Sequence, residues 1–283
     1  RPAFDNDISI LGARYNTDAP SHPANPGSIN LAGTGPWNLS SGQNINPGAV
    51  HTYTIQVDVS INLEDGKGDN RYDQCGRAQS SYPVSNEGLF NESQLDISSD
   101  GTVDQKDTAC ADVPYIVHEK FTQNVIDRGN GDYGVIYKID VKNLGGASGR
   151  YNLVDAPGFE NDFVIQSANY TSNAIGNIGN PNPVNLIGSG PWTLATNQNI
   201  NAFSSQQYYL TVNAIIDLVV AESQGDEVYS ACGSKIQGTP SSGEGLFNQS
   251  TLDVNIDGVI DQRDTTCYDI QFNLCSLGDF VWH

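Results

Sequence analysis

The chain has 283 residues, 37% hydrophobic and 16% charged, with 29 Gly and no Met; its 33 acids against 13 bases leave a formal charge of −20. This is the composition of a folded, turn-rich β protein rather than a disordered acidic one, and the length suits one large domain or two of ordinary size. The negative field repels nucleic acid and anionic membrane surfaces but concentrates cations, and no run approaches the roughly 18 apolar residues of a spanning helix.

No basic, apolar-cored signal peptide opens the chain, and Arg1 is not an initiator, so the sequence reads as a processed chain or a piece of a longer one. Its first ten residues, "RPAFDNDISI", return as "APGFENDFVI" at Ala156–Ile165, an offset of 155. "GTGPWNL" around Trp37 then meets "GSGPWTL" around Trp192. Tyr53, Ile55, Val57, Val59, Ile61 and Leu63 alternate with polar residues and predict a strand with one buried face. The same alternation recurs at Tyr208, Leu210, Val212, Ala214, Ile216 and Leu218. After a slip of two residues, "EGLFNES" near Phe90 matches "EGLFNQS" near Phe247. The chain is therefore an internal repeat.

Pro114–Asp155 has no counterpart in the first copy. Within this stretch "YGVIYKIDVKNLGG" (Tyr133–Gly146) alternates and ends at a Gly turn, predicting another strand. No long amphipathic helix is evident. The expected fold class is all-β: tandem Ig-like Greek-key β-sandwiches with inserted EF-hand-type calcium loops. The expected boundaries are 1–113 for a first repeat lacking its opening strands, 114–269 for a complete second repeat, and 270–283 for a linker or first strand of a following domain. Ile270, Phe272 and Leu274 alternate as a spare strand would, so a head-to-tail contact with the open first copy of a neighbouring chain is one expected assembly. Supply of the missing strands by adjacent repeats is the other.

"LDISSDGTVDQKDTAC" and "LDVNIDGVIDQRDTTC" carry the strongest motif. Asp96, Ser98, Asp100, Thr102, Asp104 and Asp107 take positions 1, 3, 5, 7, 9 and 12 of a calcium loop; Asp253, Asn255, Asp257, Val259, Asp261 and Asp264 take the same positions in the second copy. A hard cation needs six to eight oxygens, which alternate side chains and a position-7 carbonyl supply, while Gly101 and Gly258 at position 6 permit the sharp turn. Asp replaces Glu at position 12 in both. The plain alternative is an Asp-Gly turn joining two strands. Calcium is expected as a structural cofactor, with the Ser98 site the weaker.

Cys75 and Cys110 are 35 residues apart, as are Cys232 and Cys267, which predicts one disulfide per copy and an oxidising, extracellular compartment; free buried thiols are the alternative. Cys275 is left over. His22, His51, His118 and His283 show no metal or nucleophile spacing and read as surface or strand residues. Trp37 and Trp192 suit either a strand anchor or a sugar-stacking platform. Asn38, Asn91, Asn169 and Asn248 begin N-x-S/T sequons. No carboxylate pair or nucleophile stands out, so an enzyme is not expected.

The run "GSGPWTL…EGLFN…C…D", with its image in the first copy, resembles the tandem Ig-like repeats of very large secreted bacterial surface proteins. The calcium loops resemble those of dockerins, although here they lie a domain apart. "SLGDFVWH" (Ser276–His283) is similar to the opening of the B-type repeats of serine-aspartate surface adhesins. The resemblance implies an extracellular, calcium-binding stalk, with self or adjacent repeats as partner. An adhesin module for a glycan or protein ligand is the alternative.

Overall fold

The computed structural model describes residues 1–61, 74–76, 84–216, 231–254 and 256–270. Leu63, Leu218, Asn255, Phe272, Leu274, Cys275 and His283 lie outside them. The chain divides into two compact units, Arg1–Tyr115 with Gly145–Ala147, and Ile116–Leu144 with Ser148–His283. Among the described residues there is no helix, and every strand pairing is antiparallel.

The first unit contains β1 (Ile8–Thr17), β2 (Ile29–Leu31), β3 (Tyr53–Ile61), β4 (Asn91–Leu95) and β5 (Gln105–Ala109). They form a sheet of order β2-β1-β3 and a hairpin β4-β5. The second unit contains β6 (Ile116–Asp127), β7 (Asp132–Asn143), β8 (Gly149–Pro157), β9 (Phe163–Ser172), β10 (Val184–Leu186), β11 (Trp192–Ile200), β12 (Ser205–Ile216), β13 (Asn248–Val254) and β14 (Gln262–Thr266). These make a five-stranded sheet, β10-β9-β12-β7-β6, and a four-stranded sheet, β11-β8-β13-β14.

The alternation read in the sequence does its work in the second unit. Tyr208, Leu210, Val212 and Ala214 of β12 and Val135, Tyr137, Ile139 and Val141 of β7 are fully or almost fully buried, and they share one core with Tyr151 and Leu153 of β8, Leu194 of β11 and Leu252 of β13. The two sheets thus bury a common interior. Its tyrosine hydroxyls are paired: Tyr137 donates to the Leu246 carbonyl at 2.9 Å, and the hydroxyls of Tyr151 and Tyr208 meet at 2.8 Å. Burial pushes Tyr208 up to about 12, so both phenols stay protonated at any physiological pH.

β9, β10, β12, β13 and β14 repeat β1 to β5, whereas β6, β7 and β8 have no equivalent in the first copy. The consequences follow strand by strand. β12 pairs with both β9 and β7, but β3 pairs only with β1 among the described residues. β11 pairs with β8; the matching "WNLSSGQNI" (Trp37–Ile45) lacks that partner and forms no strand, although "WTLATNQNI" does. The apolar face of β3 is accordingly only half-buried.

One sequence expectation shifts here and another holds. His22 is not a surface or strand residue but a buried loop residue, accepting the Ala24 N–H at 3.1 Å and lying 2.9 Å from the Leu39 carbonyl between Tyr15 and Tyr53. Its repeat equivalent, Asn177, spans the same gap, accepting from Gly179 N–H and donating to the Leu194 carbonyl. Trp192 is buried and donates its indole N–H to the Ile187 carbonyl, as half-buried Trp37 does to Ala32, so the anchor reading fits and Trp192 has no open ring face for a sugar.

Leu210→Ala should destabilise the second unit by about 2–5 kcal/mol, the range for emptying a well-packed core position. Ile55→Ala, a truncation of equal size at the half-buried equivalent, should cost distinctly less. Denaturant unfolding of both variants compares them; equal losses would contradict the difference in burial.

Candidate functional site

Each aspartate ladder folds as the connection of a β-hairpin, β4-β5 in the first copy and β13-β14 in the second. The two turns use the same hydrogen bonds. Asp96 and Asp253 each accept from the position-6 glycine, at 2.8 Å from Gly101 and 3.3 Å from Gly258. Asp100 and Asp257 accept from Thr102 and Val259 N–H at 2.7 and 2.8 Å, and Asp104 and Asp261 reach back to Ile97 and Val254 N–H at 2.7 and 2.6 Å. Both glycines are left-handed, with φ of 87° and 85°, as the sharp turn demands.

Positions 1, 5 and 9 are therefore gathered on one turn. In the second copy burial raises the Asp261 carboxyl, the Val254 N–H opposes that shift, and the charges of Asp257 and Asp253 raise it further. One buried oxygen is left without a hydrogen-bond partner at position 1 of each loop: Oδ1 of Asp96 and Oδ1 of Asp253. An all-oxygen turn with an unpartnered buried carboxylate oxygen has the donor chemistry that suits a hard cation such as calcium. Ser98 belongs to the same exposed turn and Thr102 follows it; Asn255 lies outside the described residues. Among the described residues no group of three acids is drawn together tightly enough to form a finished metal cluster.

Position 12 departs from the EF-hand pattern, because a strand rather than a helix leaves each loop. Asp107 stands on β5 and accepts from Thr108 N–H. Asp264 stands on β14 and accepts from Thr265 N–H with one oxygen and from Lys120 N–H, at 2.6 Å, with the other. That second bond belongs to a row along the outer edge of β6, where Gln262, Asp264 and Thr266 side chains accept the N–H groups of His118, Lys120 and Thr122. Side chains replace a missing strand, and the edge is closed.

The cysteines pair as their spacing predicts, Cys75 with Cys110 and Cys232 with Cys267, with Cα atoms 5.8 and 6.0 Å apart. The "EGLFN" motif, whose role sequence reasoning missed, brackets this crosslink. Glu87 accepts from Gly76 and Val84 N–H, and Glu244 accepts from Gly233, Lys235 and Ser241 N–H at 2.6–2.8 Å. Gly88 has φ +41°, and a Cβ there would lie 2.8 Å from the Ala111 carbonyl and 3.1 Å from Cys75 Sγ, so the disulfide leaves room only for glycine. Asp112 and Asp269 accept the N–H of Cys75 and Cys232. The recurrence of "EG" was a readable signal; the carboxylate's partners were not. No protein-family model and no curated protein matches the chain.

Burial works against ionisation of Glu244, but its three backbone donors outweigh it and hold the carboxyl down to about 2, against an ordinary 4.5. A carboxyl depressed in the folded state stabilises the fold above its unfolded value and loses that contribution as pH falls through the folded one. The melting-temperature gap between wild type and Glu244→Gln should therefore be widest near neutrality and close between about pH 4.5 and 2. A thermal-melt series across that range reads it; a pH-independent gap would contradict the charge-based account.

Proposed function

We propose that this chain is a structural repeat segment of an extracellular bacterial surface stalk or filament, built of Ig-like modules stiffened by calcium and disulfides. The observation that carries the reading is the recurrence of one corner: the same hydrogen-bonded aspartate turn, the same unpartnered position-1 oxygen, the same disulfide and the same buried glutamate in both copies. Those features stiffen a fold. Nothing in them orients a substrate, and buried Trp192 offers no ring face to the glycan-binding alternative.

Calcium's part would be electrostatic. Bound by Asp253, Asp257 and Asp261, and by Asp96, Asp100 and Asp104 in the first copy, it would neutralise carboxylates that otherwise repel within one turn. The natural partner is another repeat. The unpaired side of β3 suits strands equivalent to β6–β8 from an adjacent module. Strand donation by the tail is less well supported, since Ile270 already packs in the core of its own unit; Phe272 and Leu274 lie outside the described residues.

Calcium at a hundredfold excess over its dissociation constant should add about 2.7 kcal/mol, which for a unit of this size is a rise of roughly 5–10 °C in melting temperature. EGTA should reverse that rise, and Asp253→Ala should abolish it for the second unit while leaving the first responsive. Calorimetry with and without chelator decides: an unchanged melting temperature in EGTA would sink the structural-metal reading. Ser98→Asn should move the first unit's calcium midpoint to lower concentration.

A further inference from the structure

Lys120 is an anomaly of β6. Its position in the alternating strand turns it inward with Ile116 and His118, so its ammonium reaches the interior between the two sheets. Side-chain exposure is 0% for both Lys120 and Asp155, and Nζ donates to Asp155 Oδ2. The pair is poorly served by its surroundings. Nζ carries three protons, yet beyond Asp155 it faces the Tyr137 ring, 5.1 Å to the centroid. Asp155 Oδ1 is buried and has no hydrogen-bond partner.

The groups facing this pair come from every neighbouring element. Asp155 on β8 is paired in register with Ser250 on β13, which is paired with Asp264 on β14. Ser250 Oγ lies 3.0 Å from His118 Nε2, and Asp264 holds the Lys120 backbone N–H. Asn248, two residues before Ser250 on the same inward side, is fully buried with both amide atoms unpartnered. Isolating a charged pair in such an interior costs several kcal/mol per ion unless further hydrogen bonds compensate, and here they are few.

We propose that Lys120 and Asp155 are a modification site, joined side chain to side chain by an amide bond between Nζ and Cγ. The reaction is a condensation. Burial lowers the affinity of Nζ for its proton, and the Asp155 carboxylate is the adjacent acceptor. The freed nitrogen lone pair attacks Cγ, the C–N bond forms, and one Cγ–O bond breaks. Of the three ammonium protons, one remains as the amide N–H and two depart on the Asp155 oxygen as water. No oxidant, reductant or activated co-reactant is needed. Holding both groups in contact inside the fold supplies the proximity that an intermolecular amide condensation lacks. The product exchanges two buried charges for one neutral amide and ties the edge strand β6 of one sheet to β8 of the other.

Intact mass spectrometry of the whole chain, reduced and denatured after native expression, tests this directly. The expected mass is that of the sequence less one water, and digestion should give a branched peptide joining the Lys120 and Asp155 segments. Asp155→Ala should restore the full sequence mass. A wild-type chain of full mass with an unmodified Lys120 peptide would overturn the proposal. So would a deficit of one ammonia with Lys120 linked to Asn248, or a water deficit confined to an aspartyl succinimide with no branch.

Discussion

Backbone pairing along β7 and β8 decides what the other strands of the second unit can do. β7 accepts β6 on one side and β12 on the other, while β8 accepts β11 and β13. Each is a central strand whose inward side chains, Tyr137 and Ile139 on one and Tyr151 and Leu153 on the other, fill the interior. A central strand satisfies two neighbours at once, so its loss costs both ladders and uncovers the apolar rows that faced it. The first copy displays this dependence: similar residues at Trp37–Ile45 form no strand, and the alternating face of β3 stays half-buried.

Around that frame the acidic residues divide into two kinds. Some are neutralised by the fold itself. Glu244 and Glu87 sit in rings of backbone N–H groups, and Asp264 caps an edge that would otherwise offer free donors. Others, at positions 1, 5 and 9 of the hairpin turns, share a few N–H donors among three carboxylates and keep a buried oxygen without a partner. A strongly negative chain can carry the first kind unaided. The second kind leaves like charges close together on one turn.

Much of this was readable beforehand because it depends on local periodicity and on repetition. The alternation at Tyr53–Ile61 and Tyr208–Ile216 became β3 and β12, and the equal cysteine spacings became the two crosslinks. The position-6 glycines make the sharp turn that their place in the ladder implies. What stayed hidden was set by distant partners. Position 12 looked like a ligand because its distance along the chain is right, yet a strand carries Asp264 to Lys120, 144 residues away. His22 looked peripheral because a lone polar residue gives no sign of the Leu39 carbonyl it serves. Lys120 drew no notice in the sequence, since only the second sheet shows what it faces.

The disulfides also bear on how such a chain would respond to tension. Each crosslink spans 35 residues, from a turn before "EGLFN" to the residue just past the second hairpin strand. A pull applied at the two ends of the chain passes through the sulfur bridge and bypasses everything inside the loop, including the aspartate turn. Even after a unit has lost its tertiary structure, roughly 120 Å of backbone per copy stays locked away from extension, at about 3.4 Å for each bypassed residue. The turn and its hairpin would thus remain slack under a load that straightens the rest, ready to re-form when the load is released.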